Sequence, residues 1–361
     1  MSRHAQRAWV FALACLGLLI FSTGCRTAGY YGQAAHGQFQ ILFQRQPIKK
    51  LVADPATPVE LKQKLELILE LRAFAERELA LPADGHYLSY VDLRRRFVVW
   101  NVNAAPEFSL EANSWWYPIV GSLTYRGYFS EEAARRYAEK LRRRGYDVYV
   151  DGVEAYSTLG WFRDPVLNTF IHHHPTELAA IIFHELAHQR LFVSGDTDFN
   201  EAFATAVEQE AVRRWLRSRN DAPGLAAYET TLQREAQFVQ LVTRTRRQLE
   251  TLFGPGAKRA APDDESRLRE QKERVIAQLR ADYAQLKTRW GGYDGYDGWF
   301  AQPLNNAQLN TVDTYHRLVP AFERLLADRQ GDLAAFFADV KTLGQLREPD
   351  RLRRLEALLS R

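Results

Sequence analysis

Cysteine is scarce in this chain of 361 residues, and its two cysteines, Cys15 and Cys25, both lie near the N-terminus. The rest of the chain therefore has no disulfide, no thiol nucleophile and no metal site with cysteine ligands. This composition suits an exported protein that folds without oxidation. Any metal ion would have to be held by histidines and carboxylates.

A strong excess of charge is also missing. The chain has 48 basic and 44 acidic residues, a formal net charge of +4. This balance excludes the basic surface that nucleic-acid binding requires. With 46% hydrophobic residues and many aromatic ones, the chain can bury a large core, in one large domain or two smaller ones.

A hydrophobic run long enough to cross a membrane is absent as well. The apolar run Trp9–Phe21 has 13 residues, whereas a spanning helix needs about 20. Two arginines precede this run and small residues follow it, so residues 1–24 are predicted to be a signal peptide. Cys25 resembles the lipid-modified cysteine of a bacterial lipobox, although Ser22 stands where leucine is usual. An ordinary secretory signal with an incidental cysteine is the alternative.

The expected location follows from the lipid anchor. A cysteine that carries several acyl chains binds a membrane stably. Residues 25–57, which are polar and contain glycine and glutamine, are predicted to be the lipid-anchored tether. Arg26, rather than an aspartate, follows the cysteine, which by analogy with enterobacterial sorting indicates the outer membrane. We therefore expect a protein of the bacterial cell envelope that faces the periplasm.

Residues 58–174 combine helical and strand patterns. Pro58–Leu79 has apolar residues at helical spacing, and Ser130–Arg144 is a second helix with acidic residues in its first turn and arginines in its last. Aromatic and β-branched runs predict strands at Phe97–Trp100, Trp115–Val120 and Tyr146–Val150. This region is therefore expected to hold an N-terminal helix and a small mixed sheet with one helix across it.

Residues 175–361 have helical patterns throughout. One helix begins at Pro175, and another begins after Gly195. Two long charged helices are predicted to form an αα-hairpin over residues 225–290. Further helices are expected at Asn305–Glu323, Asp332–Leu343 and Pro349–Ser360. The fold class predicted for the chain is α+β, mainly α.

The helix that begins at Pro175 carries an HExxH motif, His184-Glu185-Leu186-Ala187-His188. Histidines four positions apart lie on the same face of a helix and can reach one cation. Glu185 projects beside them, where a carboxylate can take a proton from a zinc-activated water and return it to the leaving amine. An unpaired polar cluster in such an apolar helix would be costly. We therefore predict that His184 and His188 bind one zinc ion per chain, with Glu185 as general base and acid.

The following helix offers two candidates for the third ligand. Glu201 stands 13 positions after His188, and Glu208 falls two turns later on the same helix face. If the intervening loop reverses the chain, the two helices pack antiparallel and Glu201 approaches both histidines. Glu201 is predicted to be the third ligand, and Glu208 is predicted to orient a histidine. The assignment of Glu208 as the ligand stays open.

These motifs resemble those of known metallopeptidases. HELAH followed by a helix bearing NEAFA (200–204) is similar to the gluzincins, whose third ligand is a glutamate on the next helix. The spacing of 13 positions is shorter than in well-studied gluzincins. The whole chain resembles a family of bacterial aminopeptidases that are often lipoproteins. The likeness rests on four blocks: VVWNVNAAPEFSL (98–110), AYSTLGWFRDPVL (155–167), IIFHELAHQRLFVSGDTDFNEAFATAVE (181–208) and LNNAQLNTVDTYHRLVPAF (304–322). It implies a zincin-like (gluzincin) fold, with the small mixed sheet beside the HExxH helix and a helical C-terminal half.

The resemblance also implies further site residues. Gluzincin aminopeptidases use a tyrosine from a downstream helix to donate to the oxyanion, and Tyr315 is expected to fill this role. His316 and Tyr156 are rival donors, and a core position is the alternative for Tyr315. Tyr156–Trp161 occupies the place where zincins present an edge strand, so Tyr156 is expected to contact the substrate. Asn305 and Asn306 are more polar than a helix requires and are predicted to line the cleft.

The sequence thus predicts a zinc-dependent metallopeptidase, which the resemblance makes an aminopeptidase. A zinc endopeptidase and a non-catalytic envelope lipoprotein with a structural zinc site are the alternatives. An exopeptidase needs an anion for the free amine of its substrate, and Glu107 and Glu154 are the candidates. His172–His174 are assigned to a solvated loop. The expected partners are a peptide substrate and a membrane, reached through Cys25, but no nucleic acid; the oligomeric state is left open.

Overall fold

The computed structural model describes residues 29–30, 32–117, 121–155, 158, 163–254 and 262–359, without the side chains of residues 262, 263 and 315. The predicted signal peptide, Cys25 and Tyr156 lie outside this part of the chain. The positions of these residues are therefore known only from the sequence.

The described part of the chain is mainly helical. Long amphipathic stretches form the helices, and capping residues such as Ser130 and Asp332 begin several of them. The helices are α1 (32–43), α2 (Ile48–Ala53), α3 (Val59–Glu78), α4 (Glu131–Arg142), α5 (Pro175–Arg190), α6 (Thr197–Ser218), α7 (Ala222–Phe253), α8 (Pro262–Arg289), α9 (Asp297–Phe300), α10 (Asn306–His316), α11 (Val319–Asp328), α12 (Leu333–Gly344) and α13 (Glu348–Leu359).

Three small sheets accompany the helices. The strands are β1 (Gln46–Pro47), β2 (Ser89–Val91), β3 (Val99–Pro106), β4 (Trp115–Tyr117), β5 (Gly121–Leu123), β6 (Tyr125–Tyr128), β7 (Tyr146–Val153) and β8 (Val166–Leu167). One sheet has the order β1-β2-β8 and is mixed, because β2 pairs antiparallel with β1 and parallel with β8. A second sheet, β6-β3-β7, is antiparallel, and β4 and β5 form a two-stranded sheet.

The HExxH helix α5 lies in the main hydrophobic core. It packs against α3 on one side and α6 on another, and Ile182 and Phe183 are fully buried. The Phe183 ring lies 6.0 Å from that of Phe74 in α3, and Phe203 of α6 lies 5.9 Å from Phe322 of α11. Burying each such side chain contributes about 1.5–3 kcal/mol. The core therefore holds α5 and α6 in a fixed relation to each other.

A second core joins the α7–α8 hairpin to α10. Leu249 of α7 and Leu279 of α8 are buried in it, together with Leu309 of α10. Tyr283 of α8 stacks on Phe300 with ring centroids 3.9 Å apart. Since α10 also packs against α6, β3 and β7, the hairpin fixes α10 between the antiparallel sheet and the HExxH region.

The third core lies between the antiparallel sheet and α4. Trp100 and Val102 of β3 and Val148 of β7 pack against Ala134 and Leu141 of α4. Because side chains alternate along a strand, the residues between them on β3 and β7 face away from α4. That opposite face of the sheet is turned toward α10.

The structure corrects three expectations. Residues 32–53 of the predicted tether form α1 and α2, and Ile41 and Ile48 are buried in the main core. The sheet crossed by α4 is antiparallel, while the mixed sheet is the separate one that leads into α5. The helix expected at Asn305–Glu323 is divided into α10 and α11, because Pro320 lies in the first turn of α11 and cannot continue a helix.

Among the described residues, none of the helices combines the length and the apolarity that crossing a membrane requires.

Candidate metal centre and active site

His184 and His188 of α5 face Glu201 of α6. The Oε2 atom of Glu201 lies 3.4 Å from Nε2 of His184 and 3.6 Å from Nε2 of His188. One ligand atom from each of these three side chains lies within 4.8 Å of the other two. The three residues that the sequence assigns to the metal therefore converge from two helices.

The tight loop between α5 and α6 makes this convergence possible. Asn200 holds the loop, since its Oδ1 accepts a hydrogen bond from the Val193 N–H and its amide donates to the Val193 carbonyl, both at 2.8 Å. Gly195 has a φ of +84°, a left-handed conformation that favours glycine. The asparagine next to Glu201 in the sequence thus has a structural role in the reversal.

Asp196 fixes the start of α6. One of its oxygens accepts a hydrogen bond from the Phe199 N–H at 3.0 Å, and the other accepts two from the buried Arg351 at 2.8 and 2.5 Å. Asp198, two positions later, instead pairs with Arg317 at 3.2 Å. The capped and anchored first turn of α6 determines where Glu201 lies.

Glu208 lies on the other side of the first histidine. Its Oε2 atom is 3.1 Å from Nδ1 of His184. A carboxylate can only accept here, so Nδ1 of His184 carries the proton and donates it, which leaves the lone pair on Nε2. That nitrogen is the one that faces Glu201. This geometry suits Glu201 as a third ligand and Glu208 as the group that orients His184.

Glu185 is buried beside the two histidines. Its side chain is 8% exposed, and its Oε2 atom has no hydrogen-bond partner among the described residues. Burial raises the pKa of Glu185, the histidines oppose this, and the charges of Glu201 and Asp164 add to it. A buried carboxylate without a full set of partners is costly unless it has a function.

Asp164 belongs to a buried network next to Glu185. Its backbone N–H donates to Nδ1 of His86 at 3.0 Å, and its carboxylate accepts from the Thr158 hydroxyl at 2.6 Å. Thr158 lies within the segment that resembles the substrate strand of zincins. The network ties Thr158 to the neighbourhood of Glu185. Tyr156 itself lies outside the described residues.

The electrostatics of the three converging residues favour a bound cation. Burial alone would raise the pKa of Glu201, but the two histidines outweigh it and lower the pKa to about 2. Burial also works against a charged His184, yet Glu201 and Glu208 raise its pKa well above the ordinary value. Nδ1 of His188 and Oε2 of Glu185 are buried without partners among the described residues. Two imidazoles and a carboxylate that stabilise positive charge fit a divalent metal ion.

Tyr125 of β6 is a site residue that the sequence did not indicate. Burial and the negative charges of Glu201 and Glu185 raise its pKa, so its hydroxyl lies within electrostatic range of both carboxylates. The only sequence signal is its membership of a short aromatic strand. The pairing that brings β6 to the metal centre involves residues far apart in the chain.

The predicted oxyanion donors lie in and around α10. The backbone of Tyr315 belongs to α10, while its side chain lies outside what the structure describes. His316 is the next residue, and burial together with the charge of His184 lowers its pKa to about 4. Its Nε2 atom lies 3.9 Å from Oε1 of Glu235. Neutral His316 therefore lies near the metal centre and can donate or accept a proton.

Asn305 and Asn306 require a correction, because their side chains hold α10 in place. Asn305 caps α10 by accepting from the Gln308 N–H at 3.0 Å and donates to the Val148 carbonyl at 3.2 Å. Asn306 is fully buried and donates to the carbonyls of Pro106, Glu107 and Ser109 at 2.9–3.0 Å. A side chain without exposed surface cannot contact a substrate, so Asn306 does not line the cleft.

The two carboxylates nominated for amine binding also have partners. Glu107 accepts two hydrogen bonds from Arg269 at 2.5 and 2.8 Å. Glu154 lies 2.5 Å from Nε2 of His173. Glu154, His172 and His173 form a second group whose ligand atoms lie within 4.8 Å of one another, in the segment that we assigned to a solvated loop. His172 is exposed, unlike the histidines of the HExxH motif.

Comparison with protein-family models matches residues 29–355 to the family described as "Putative aminopeptidase". The match includes all residues of the metal centre and both helices that carry them. No curated protein and no solved structure matches the chain.

Proposed function

We propose that this chain, which belongs to the family described as "Putative aminopeptidase", is a zinc-dependent metallopeptidase that removes residues from the free N-terminus of peptides. One observation supports the proposal most strongly. The side chains of His184, His188 and Glu201 converge within 4.8 Å, and the buried Glu185 carboxylate beside them has an oxygen without a partner among the described residues.

Zinc suits the donor set. Two neutral imidazoles and one carboxylate are the ligands of catalytic zinc in several hydrolases, and such sites keep a further position open. Harder ions such as Mg²⁺ and Ca²⁺ prefer oxygen ligands alone. When bound, zinc would act as a Lewis acid on the scissile carbonyl and would make a water molecule acidic enough to be deprotonated at neutral pH.

Glu185 would move the proton. It accepts a proton from the attacking water, whose oxygen forms a bond to the carbonyl carbon. As the C–N bond breaks, Glu185 donates this proton to the leaving nitrogen, so that the enzyme returns to its initial state. The pKa of Glu185 is raised toward neutral pH, which suits the carboxyl group both to accept and to donate a proton.

The fold supports a zincin-like arrangement. The HExxH helix α5 is followed by α6, which supplies Glu201, and a small mixed sheet leads into α5. We propose that the cleft lies between this helix pair, the antiparallel sheet and α10. Neutral His316 and Tyr125 are the candidates for donors to the oxyanion, together with Tyr315.

We also propose that the protein is anchored through Cys25 to the bacterial envelope and faces the periplasm. The proposal rests on the signal-peptide pattern of residues 1–24 and the small residues before Cys25. Labelling of cells with radioactive palmitate should mark the wild-type chain but not Cys25→Ser. Equal labelling of both would contradict the anchor.

The activity is tested with a diverse peptide mixture whose products are identified by mass. Zinc-loaded protein should release single residues from free N-termini, and chelator-treated protein should release none. Cleavage only at internal bonds would make the protein an endopeptidase. No cleavage by protein shown to hold zinc would favour a structural metal in a non-catalytic lipoprotein.

A further inference from the structure

A polar cavity lies between α10 and the face of the antiparallel sheet that α4 leaves free. It has a volume of about 50 Å³, room for a few water molecules or an ammonium group, and it opens to solvent. Strands β3, β6 and β7 form one wall, and α10 forms the other. Polar residues that line it include Asn101, Asn103, Tyr125, Asp151, Asn310 and Thr311.

The register of the sheet explains why these side chains share one cavity. Asn101 lies opposite Asp151 of β7 and Gly127 of β6, while Asn103 lies opposite Tyr125. Directly opposed residues project from the same face of a sheet. A side chain at position 127 would approach Asn101 and Val99, with a Cβ atom 3.1 Å from Val99 Cγ1. Glycine at this position keeps the floor of the cavity open.

The cavity adjoins the metal centre through Tyr125. Tyr125 lines the cavity, and the charges of Glu201 and Glu185 reach its hydroxyl. Asp151 lies across β3 from Tyr125 and two residues farther along it, a separation of about 12 Å in the plane of the sheet. A peptide whose scissile bond lies at Glu185 can extend its N-terminal residue across β3 in the direction of Asp151.

Asp151 differs from the other carboxylates of this region in having no cationic partner. Among the residues that the structure describes, no lysine or arginine pairs with it. Its carboxylate accepts a long hydrogen bond of 3.4 Å from the Tyr149 hydroxyl and another from the Gly152 backbone N–H. The side chain is exposed to the solvent in the cavity. Partial burial of the carboxylate raises the pKa of Asp151, and the charge of Glu154 adds to this effect. Glu107 and Glu154, in contrast, are bound by Arg269 and His173.

We infer that Asp151 binds a protonated amine of the peptide substrate in this cavity. The inference rests on the proposed peptidase function and deepens it. A peptide α-amino group has a pKa of about 8, and a lysine side chain has one of about 10, so both are charged at neutral pH. An ammonium group can donate three hydrogen bonds, and the cavity offers the Asp151 carboxylate with the side-chain oxygens of Asn101 and Asn103 as acceptors.

Two pairs of reporter substrates test the inference and separate the two sources of the amine. A leucyl reporter is compared with its des-amino analogue, and a lysyl reporter is compared with the norleucyl one. Asp151→Asn keeps the shape of the side chain and removes its charge. We expect kcat/KM to fall about 10- to 100-fold for every reporter that carries the recognised amine, mainly through KM, and to change little for those that lack it. Asp328→Asn, at an exposed carboxylate of α11 paired with Arg324, is the matched control and should leave kcat/KM for all four reporters unchanged.

The outcomes are distinct. A loss on the leucyl, lysyl and norleucyl reporters but not on the des-amino analogue assigns Asp151 to the α-amine, and a loss confined to the lysyl reporter assigns it to a basic side chain. Equal losses on all four substrates, or no loss on any, would overturn the inference. It would also be overturned if Asp328→Asn reproduced the effect.

Binding provides a readout that does not depend on catalysis. Isothermal titration of the metal-free protein compares leucine amide with its des-amino analogue, and lysine amide with norleucine amide. Each ligand that carries the recognised amine should bind wild type more tightly than Asp151→Asn. If zinc-loaded wild type cleaved no peptide, the proposed function would fail, while this titration would still support or refute the role of Asp151. If neither amide bound in preference to its analogue, the role of Asp151 would be refuted even in an active peptidase.

Discussion

The carboxylate of Glu208 lies 3.1 Å from Nδ1 of His184, while Glu201 lies 3.4 Å from Nε2 of the same ring. The two glutamates of α6 therefore serve the two nitrogens of one histidine. Glu208 fixes the tautomer and the orientation of the ring, and Glu201 shares with Nε2 the position that we propose for the metal. This relationship distinguishes two residues whose roles their spacing in the sequence leaves interchangeable.

Exchange of each glutamate for glutamine should separate the two roles. Glu208→Gln should weaken zinc binding about 10- to 100-fold, as is usual when a group that orients a ligand is changed. Glu201→Gln should weaken it by a larger factor because a ligand charge is lost. Competition with a fluorescent zinc chelator measures both. Glu210→Gln, on the same helix and paired with Arg214, is the control and should retain wild-type affinity. A larger loss in Glu208→Gln than in Glu201→Gln would exchange the assignments.

The metal content should depend on the HExxH histidines and not on the histidines of the loop His172–His174. Wild-type protein should hold about one zinc ion per chain after dialysis, as expected for a single catalytic site, and His184→Ala should hold none. His173→Ala, which removes the partner of Glu154, should still hold the zinc. Elemental analysis of the three proteins decides the matter. If His173→Ala lost the zinc and His184→Ala kept it, the assignment of the metal centre to the HExxH histidines would be wrong.

The buried ion pair between Arg351 and Asp196 should stabilise the loop that positions Glu201. Arg351 is 4% exposed, and two of its nitrogens, Nε and Nη2, donate to the same oxygen of Asp196. Arg351→Met leaves Asp196 buried without its cation, which should cost about 3–5 kcal/mol in the free energy of unfolding. Urea unfolding measures this change. Arg347→Ala removes an exposed partner of Asp350 and should change the free energy by at most about 0.5 kcal/mol. Similar values for the two variants would exclude a special role for the buried pair.

Glu235 should make the metal-free protein less stable as the pH rises. Burial, with a contribution from Glu208, raises its pKa from 4.5 to about 7. The folded state then binds more protons than the unfolded state between these values, so stability falls as the pH rises from 4.5 to 7. Glu235→Gln removes this loss. Its stability relative to wild type should increase by about 1–2 kcal/mol over that window, a figure reduced for the partial exposure of the side chain.

Thermal unfolding in the presence of a chelator, at several pH values between 4.5 and 8, measures the difference. Glu323→Gln is a control of the same type on α11, where the upward shift of the pKa is smaller and Arg213 opposes it. A difference between Glu235→Gln and wild type that did not vary with pH would contradict the buried, uncharged state of Glu235.

Local patterns in the sequence account for much of the fold. The helix expected at Pro58–Leu79 is found at Val59–Glu78, and the one expected at Ser130–Arg144 is found at Glu131–Arg142, because periodicity and capping act within a few residues. The same holds for His184, Glu185 and His188, whose relation depends only on helix geometry. Glu201 could be predicted because one short loop separates it from them.

Long-range contacts could not be predicted in the same way. Asn306 is polar in sequence yet fully buried, since its partners are carbonyls about 200 positions away. Tyr125 and Asp151 line the same cavity only through strand pairing and the packing of α10. Helix α1 was missed because its composition is polar and its burial depends on Ile41 meeting a core built by later elements.

The turnover of Glu185→Gln at full zinc occupancy tests the central claim most directly. Glutamine keeps the size of the side chain but cannot accept or return a proton. The account predicts that the variant retains its zinc and that kcat for an aminoacyl reporter falls by about 10²- to 10⁴-fold, the usual contribution of a general acid–base group. A zinc-loaded Glu185→Gln protein with the kcat of wild type would contradict it.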